Sequence, residues 1–154
     1  MSIRPAEPSD SRELLRMAKA FHKAANIEKY ASWESSEEYW EKWLKHCILD
    51  EKALCLVWDD GSRLAGFITA ILGCAFWNSN VRTVNECSTW VDRDFRRLGI
   101  GTAFTDGLYK WGKSQGACLV SAGTTMDFMP KAIGTMLEKN GFILHEKIYS
   151  KQVS

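Results

Sequence analysis

Between residues 82 and 115 the chain changes its hydrophobic period from two to about 3.6, and few arrangements accommodate that change. In residues 82–91, Val84, Glu86, Ser88 and Trp90 fall on one face of an expected strand, and Thr83, Asn85, Cys87, Thr89 and Val91 on the other. In residues 99–115, Ile100, Ala103, Phe104, Leu108 and Trp111 recur at helical spacing, with Gly116 as a C-terminal stop. A short apolar run at 117–122 then reads as a buried strand. Strand, helix and strand in this order predict a β-α-β crossover.

The flanking sequence fits one domain around that unit. Residues 3–5 form a short expected strand, and Pro8, Ser9, Asp10 and Ser11 precede a helix with Leu14, Leu15, Ala18, Phe21, His22 and Ala25 on one face. Ser35 or Ser36 caps a second helix carrying Tyr39, Trp40, Trp43, Leu44, Cys47 and Ile48. Apolar runs at 53–58 and 64–72, joined through Asp59, Asp60, Gly61 and Ser62, predict a β-hairpin. After the crossover, a helix from Pro130 ends at Gly141 and a last strand occupies 142–149. The order β-α-α-β-β-β-α-β-α-β predicts an α/β (α+β) fold with a mostly antiparallel central sheet flanked by helices. At 154 residues without linker or repeat, residues 1–154 read as a single domain.

Charge and cysteine usage narrow the partners. Twenty Lys and Arg against 19 Asp and Glu leave +1, which supplies no field to draw in nucleic acid or an anionic membrane. No segment reads as a signal peptide or a membrane span. Five cysteines without C-x-x-C spacing suit a reducing cytoplasm, and with three scattered histidines they argue against a metal site.

Chemistry concentrates in the loop between the long strand and its helix. Arg96-Arg97-Leu98-Gly99-Ile100-Gly101-Thr102 places two guanidinium groups and two glycines at a helix start, where unpaired N–H groups and the helix dipole attract an anion. A pyrophosphate is the natural ligand. The loop lacks the Gly-Lys-Ser/Thr of a Walker loop, and Phe104 stands where a dinucleotide fingerprint needs its third glycine.

In R/Q-x-x-G-x-G/A register this loop resembles the acyl-CoA-binding element of the GNAT family of N-acetyltransferases. The Trp90-Val91-Asp92 strand end before it and the late Glu138-Lys139-Asn140-Gly141-Phe142 stretch are similar to that family as well. The resemblance implies that the strands at 82–91 and 117–122 run parallel and splay, with pantetheine in the gap. It further implies that groups near Val91 bond the pantetheine, that the amides of Arg97, Leu98, Gly99, Ile100, Gly101 and Thr102 hold the CoA pyrophosphate, and that the Arg96 and Arg97 side chains assist. Acetyl-CoA is the implied co-substrate, with no metal, and a small-molecule or peptide amine the implied acceptor.

Direct attack needs a neutral amine, and an alkyl amine of pKa about 10.4 is almost wholly protonated at neutral pH. Glu86, mid-strand where many family members present a glutamate, is the candidate base; its alternative role is a strand residue paired with an Arg or facing solvent. Tyr30 and Trp33, in what reads as an irregular stretch, are candidate acceptor-pocket aromatics, and Trp77 has the same standing. Leu137 stands where the family often has a Tyr acid, leaving Tyr149, Tyr109, water or no acid. The chain also lacks the family's last strand, so the acceptor side is open or completed by a second subunit, as in a homodimer. A CoA-binding module without catalysis, or an acyltransferase for a protein terminus or modified nucleic acid, would carry the same loop.

Overall fold

A computed structural model describes residues 2–153. Strand β1 (Ser2–Pro5) leads into helices α1 (Ser11–Ala24) and α2 (Trp33–Leu49), followed by strands β2 (Ala53–Asp59), β3 (Leu64–Ala75) and β4 (Asn78–Val91). Helix α3 (Ile100–Ser114), strand β5 (Leu119–Ser121) and helix α4 (Pro130–Lys139) follow. The sheet order is β1-β2-β3-β4-β5, antiparallel except for the parallel β4–β5 pair that the crossover creates.

Two apolar layers cover the two faces. Leu14, Met17 and Ala18 of α1, with Trp33, Leu44 and Cys47 of α2, pack on Cys55, Val57 and Phe67. On the opposite face Ile100, Phe104 and Leu108 of α3 cover Leu56, Ile68, Ala70 and Val84. Glycines let α3 approach closely: a Cβ at Gly112 would stand 2.5 Å from a methyl of Val120. At Gly66 it would meet the backbone oxygen of Trp90 at 2.7 Å, so the β3–β4 pair holds its spacing only with glycine there.

Three sequence expectations change. Helix α2 starts at Trp33, not after Ser35 or Ser36, because Ser32 is its N-cap and its Oγ accepts the Ser35 N–H at 3.2 Å. The face assignment in β4 fails at a β-bulge: Thr69 pairs with Ser88 and Ala70 with Glu86, leaving Cys87 without a partner. Val84 and Glu86 therefore share the α3 face with Thr89 and Val91, while Ser88 and Trp90 turn to the α1–α2 face. Thr69 and Ser88 join their hydroxyls at 2.6 Å in the core beside the bulge, which fixes the register. Finally, the strand expected at 142–149 does not form; among the described residues none of these joins the sheet. A strand is stable only with a neighbour, and β5 is not extended toward them.

Buried His22 ties the helical layer together. Its Nε2 lies 2.9 Å from the Ala31 carbonyl oxygen, and its Nδ1 accepts the Trp40 indole N–H at 3.3 Å, which selects the neutral ring protonated on Nε2. Arg16 joins α1 to the end of β4 by donating to Asp92 at 2.8 Å.

The glycine contacts predict opposite signs for two Gly→Ala changes. Gly66→Ala, against a backbone oxygen, should destabilise by about 1–3 kcal/mol. Gly134→Ala, inside α4 with open space at its Cβ, should stabilise by about 0.5–1 kcal/mol. Urea unfolding of both variants reads the difference; equal effects would contradict this packing.

Candidate active site

Beyond Asn85, β4 has no neighbour on its β5 side. The parallel ladder contains only Thr83↔Leu119, Val84↔Val120 and Asn85↔Ser121, while β4 continues to Val91. A cleft of about 950 Å³ occupies the parting, with Glu86, Thr89 and Val91 along one side and Gly123, Thr124 and Thr125 along the other. Ile133, Met136 and Leu137 of α4 supply an apolar wall.

The loop after β4 forms the end of this cleft. Arg97 has φ 69° and Gly99 φ 81°, both left-handed, a conformation glycine adopts freely and arginine does not. These two reversals lead into α3, whose first hydrogen bond from the loop runs from Ala103 N–H to the Gly99 carbonyl. Among the described residues, the amides of Arg97, Leu98, Gly99, Ile100, Gly101 and Thr102 donate to no protein acceptor outside regular helix and strand pairing. Free amides at a helix start are what a pyrophosphate requires. The Arg97 side chain is exposed beside them.

Arg96 lines the same cleft and also braces it from within the protein. Its Nε donates to the Val91 carbonyl at 3.0 Å, and its guanidinium lies 4.9 Å from the Trp90 ring and 5.2 Å from Phe128. Trp90 and Phe128 stack on each other at 5.6 Å. This cluster joins the end of β4 to the segment before α4. The Val91 carbonyl is thereby already engaged.

Glu86 spans the parting of the strands. Its Oε1 accepts the Thr89 hydroxyl at 2.8 Å, and its Oε2 accepts the Gly123 N–H at 3.2 Å. Desolvation raises its pKa above the ordinary glutamate value, and the two hydrogen bonds act in the opposite direction without cancelling that rise. A carboxylate so placed is a stronger proton acceptor than one in water. Desolvation and then the Glu86 charge push the thiol of Cys87 beside it up to about 11, which keeps it protonated at neutral pH.

The aromatic residues expected at the acceptor pocket are elsewhere. Trp33 is buried as the first residue of α2, edge-on to His22 at 5.6 Å, because the earlier helix start turns it into the core. Tyr30 is exposed outside the cleft lining, with Lys29 Nζ 5.0 Å from its ring, and Trp77 sits near the tip of the β3–β4 hairpin. Phe21 and Phe128 line the cleft instead. Leu137 faces it, and neither Tyr109 nor Tyr149 does. Thr89 and Gly123 were not legible as partners of Glu86: the bulge that aligns Thr89 leaves no mark in the periodicity, and Gly123 arrives from a separate segment. Among the described residues no group of three His, Cys, Asp or Glu could hold a metal, and no helix is long and apolar enough to cross a membrane.

Comparison with known proteins agrees with this geometry. A family model described as Acetyltransferase (GNAT) family matches residues 14–142. No curated protein matches. Among solved structures, a mutant of the BH1408 protein from Bacillus halodurans superposes with TM-score 0.81 at 20% identity, covering 100% of both chains. An aminoglycoside antibiotic 6'-N-acetyltransferase from Acinetobacter haemolyticus gives 0.74 at 17%, again over 100% of both. A predicted acetyltransferase with acetyl-CoA from Clostridium acetobutylicum gives 0.77 at 12%, covering 98% of this chain and 95% of that one. The chain belongs to the GNAT family of acetyltransferases, for which acetyl-CoA is the acyl donor.

Proposed function

We propose that the protein transfers an acetyl group from acetyl-CoA to an amine by direct attack in a ternary complex, with Glu86 as the base. The observation that carries this reading is the Glu86 carboxylate, held by Thr89 and Gly123 where β4 and β5 part. Acetyl-CoA supplies an acyl carbon activated as a thioester, together with a thiol leaving group. The amides of residues 97–102 would hold its pyrophosphate, and Arg97 would add charge there. The unpaired edge of β4 between Glu86 and Val91 offers backbone groups for the pantetheine arm, which sets the acyl carbon near Glu86.

Glu86 then accepts a proton from the substrate ammonium, directly or through one water, and frees the nitrogen lone pair for attack. Its raised pKa keeps the proton transfer closer to balanced than an ordinary carboxylate would. Among the described residues no tyrosine lines the cleft to protonate the departing sulfur. An alkyl thiol of pKa about 8.5 leaves readily as its thiolate, so the chemistry does not demand one.

The test is Glu86→Gln, which keeps the shape and an oxygen acceptor but cannot take the proton. The reading predicts a fall in kcat of about 100- to 10,000-fold with acetyl-CoA affinity unchanged. In the wild type, the rate should rise with pH as Glu86 loses its proton, through a midpoint above the ordinary 4.5, and the variant should lack that rise. Burial disfavours the charged carboxylate, so the variant should be at least as stable as the wild type above that midpoint. Full activity of Glu86→Gln from about pH 6 to 9 would remove Glu86 from the mechanism.

A further inference from the structure

The cleft passes from one face of the sheet to the other, and its two ends differ in chemistry. At one end lie the loop amides that lead into α3, and Met136 of α4 borders them, 3.5 Å from where a Cβ on Gly101 would stand. The other end belongs to the α1–α2 layer: Phe21 and Phe128 line the cleft and also pack against the buried core of that layer. Glu86 bonds Gly123 across the parting through which the two ends communicate. An acyl chain entering from the loop side reaches Glu86 first, so the second end is left for the acceptor.

Each of the two phenyl rings at that end is held by a tryptophan. Phe21 is edge-on to Trp40 at 6.0 Å, and the Trp40 indole N–H bonds His22 Nδ1. Phe128 stacks on Trp90 at 5.6 Å. Rings fixed in this way present an apolar surface before a ligand arrives, so binding orders few side chains. Negative charge is scarce there. Glu86 is the one carboxylate among the described residues that line the cleft, and the other charged ones, Arg93, Arg96 and Arg97, come from the segment after β4. Asp127, next to Phe128, is taken by Lys29 Nζ at 2.7 Å. The Arg96 guanidinium, 5.2 Å from the Phe128 ring, adds positive charge on that side.

We infer that the acceptor is a primary monoamine on an aromatic body, a phenylalkylamine in its simplest form, seated against Phe21 and Phe128 with its nitrogen at Glu86. The inference rests on the transfer reaction proposed above and names its substrate class. One carboxylate balances one ammonium. A second ammonium at this end would meet the Arg96 charge and no further carboxylate of the lining, and an unpaired charge taken out of water is costly. Phenyl rings likewise offer a polyhydroxylated body nothing to replace the water it gives up. In the reaction the nitrogen–carbon bond forms as the carbon–sulfur bond of acetyl-CoA breaks. One ammonium proton passes to Glu86, one to the departing thiolate, and the last stays on the amide.

The test compares 2-phenylethylamine, kanamycin and glucosamine 6-phosphate, by rates of CoA release from acetyl-CoA and by calorimetric binding of each amine to the CoA-loaded protein. The wild type should show a kcat/KM for 2-phenylethylamine at least about tenfold above that for either of the others. Phe21→Leu, which keeps an apolar side chain in place of the ring, should raise the KM for 2-phenylethylamine about tenfold and leave acetyl-CoA affinity unchanged. Kanamycin or glucosamine 6-phosphate as the better substrate would overturn the inference and leave the transfer reaction standing. Binding of 2-phenylethylamine without release of CoA would support the aromatic pocket and remove the reaction. Neither binding nor turnover of 2-phenylethylamine, or an unaltered KM in Phe21→Leu, would overturn the inference.

Discussion

Everything at the site depends on β4 outlasting its parallel neighbour. The two strands pair over three residues and then part, and the six residues of β4 beyond that point keep an unpaired edge. An open backbone edge inside a domain is costly unless a ligand or solvent satisfies it. Here the protein fills the parting only at its two ends. Glu86 bridges it through Gly123 near the last paired residues, and the Arg96, Trp90 and Phe128 cluster lies at the end of β4. The space between would accommodate a linear ligand that bonds a strand edge and ends in an anion, as the proposed function requires.

The bulge at Cys87 is the second constraint, because it determines what Glu86 can do. In a regular strand Glu86 would share a face with Ser88, and Thr89 would point away from it. The extra residue reverses that relation: Thr89 reaches Glu86, and Ser88 turns into the helical core to bond Thr69. One inserted residue thus gives the carboxylate a hydroxyl donor and anchors the distortion on the opposite face. Asp92 reinforces the arrangement from the strand end, accepting from both the Trp90 indole and Arg16 of α1.

Much of the fold was legible in the sequence because it rests on local periodicity and turn chemistry. The hairpin through Asp59 and Gly61, the crossover through α3, and the glycine-started helix each carry a short-range signal. The turn through Gly99 into α3 was legible for the same reason. The rest depends on contacts distant in sequence. Ser32 and Ser35 both have capping chemistry, and only the packing of Trp33 on His22 selects the earlier start. The packing of Arg96 between Trp90 and Phe128 was not legible, because Phe128 arrives from a later segment. The strand character of residues 142–149 is plain, but a strand is a property of a pair, and no pairing with the sheet forms there.

The central claim is that the amides after β4 and the parting of β4 from β5 together hold acetyl-CoA. Calorimetric titration of acetyl-CoA into the wild type and into the Arg97→Glu, Gly101→Glu double variant tests it most directly. The account predicts micromolar binding by the wild type, weakened at least about tenfold when two carboxylates face the pyrophosphate. No binding by the wild type, or equal affinity in both proteins, would contradict it.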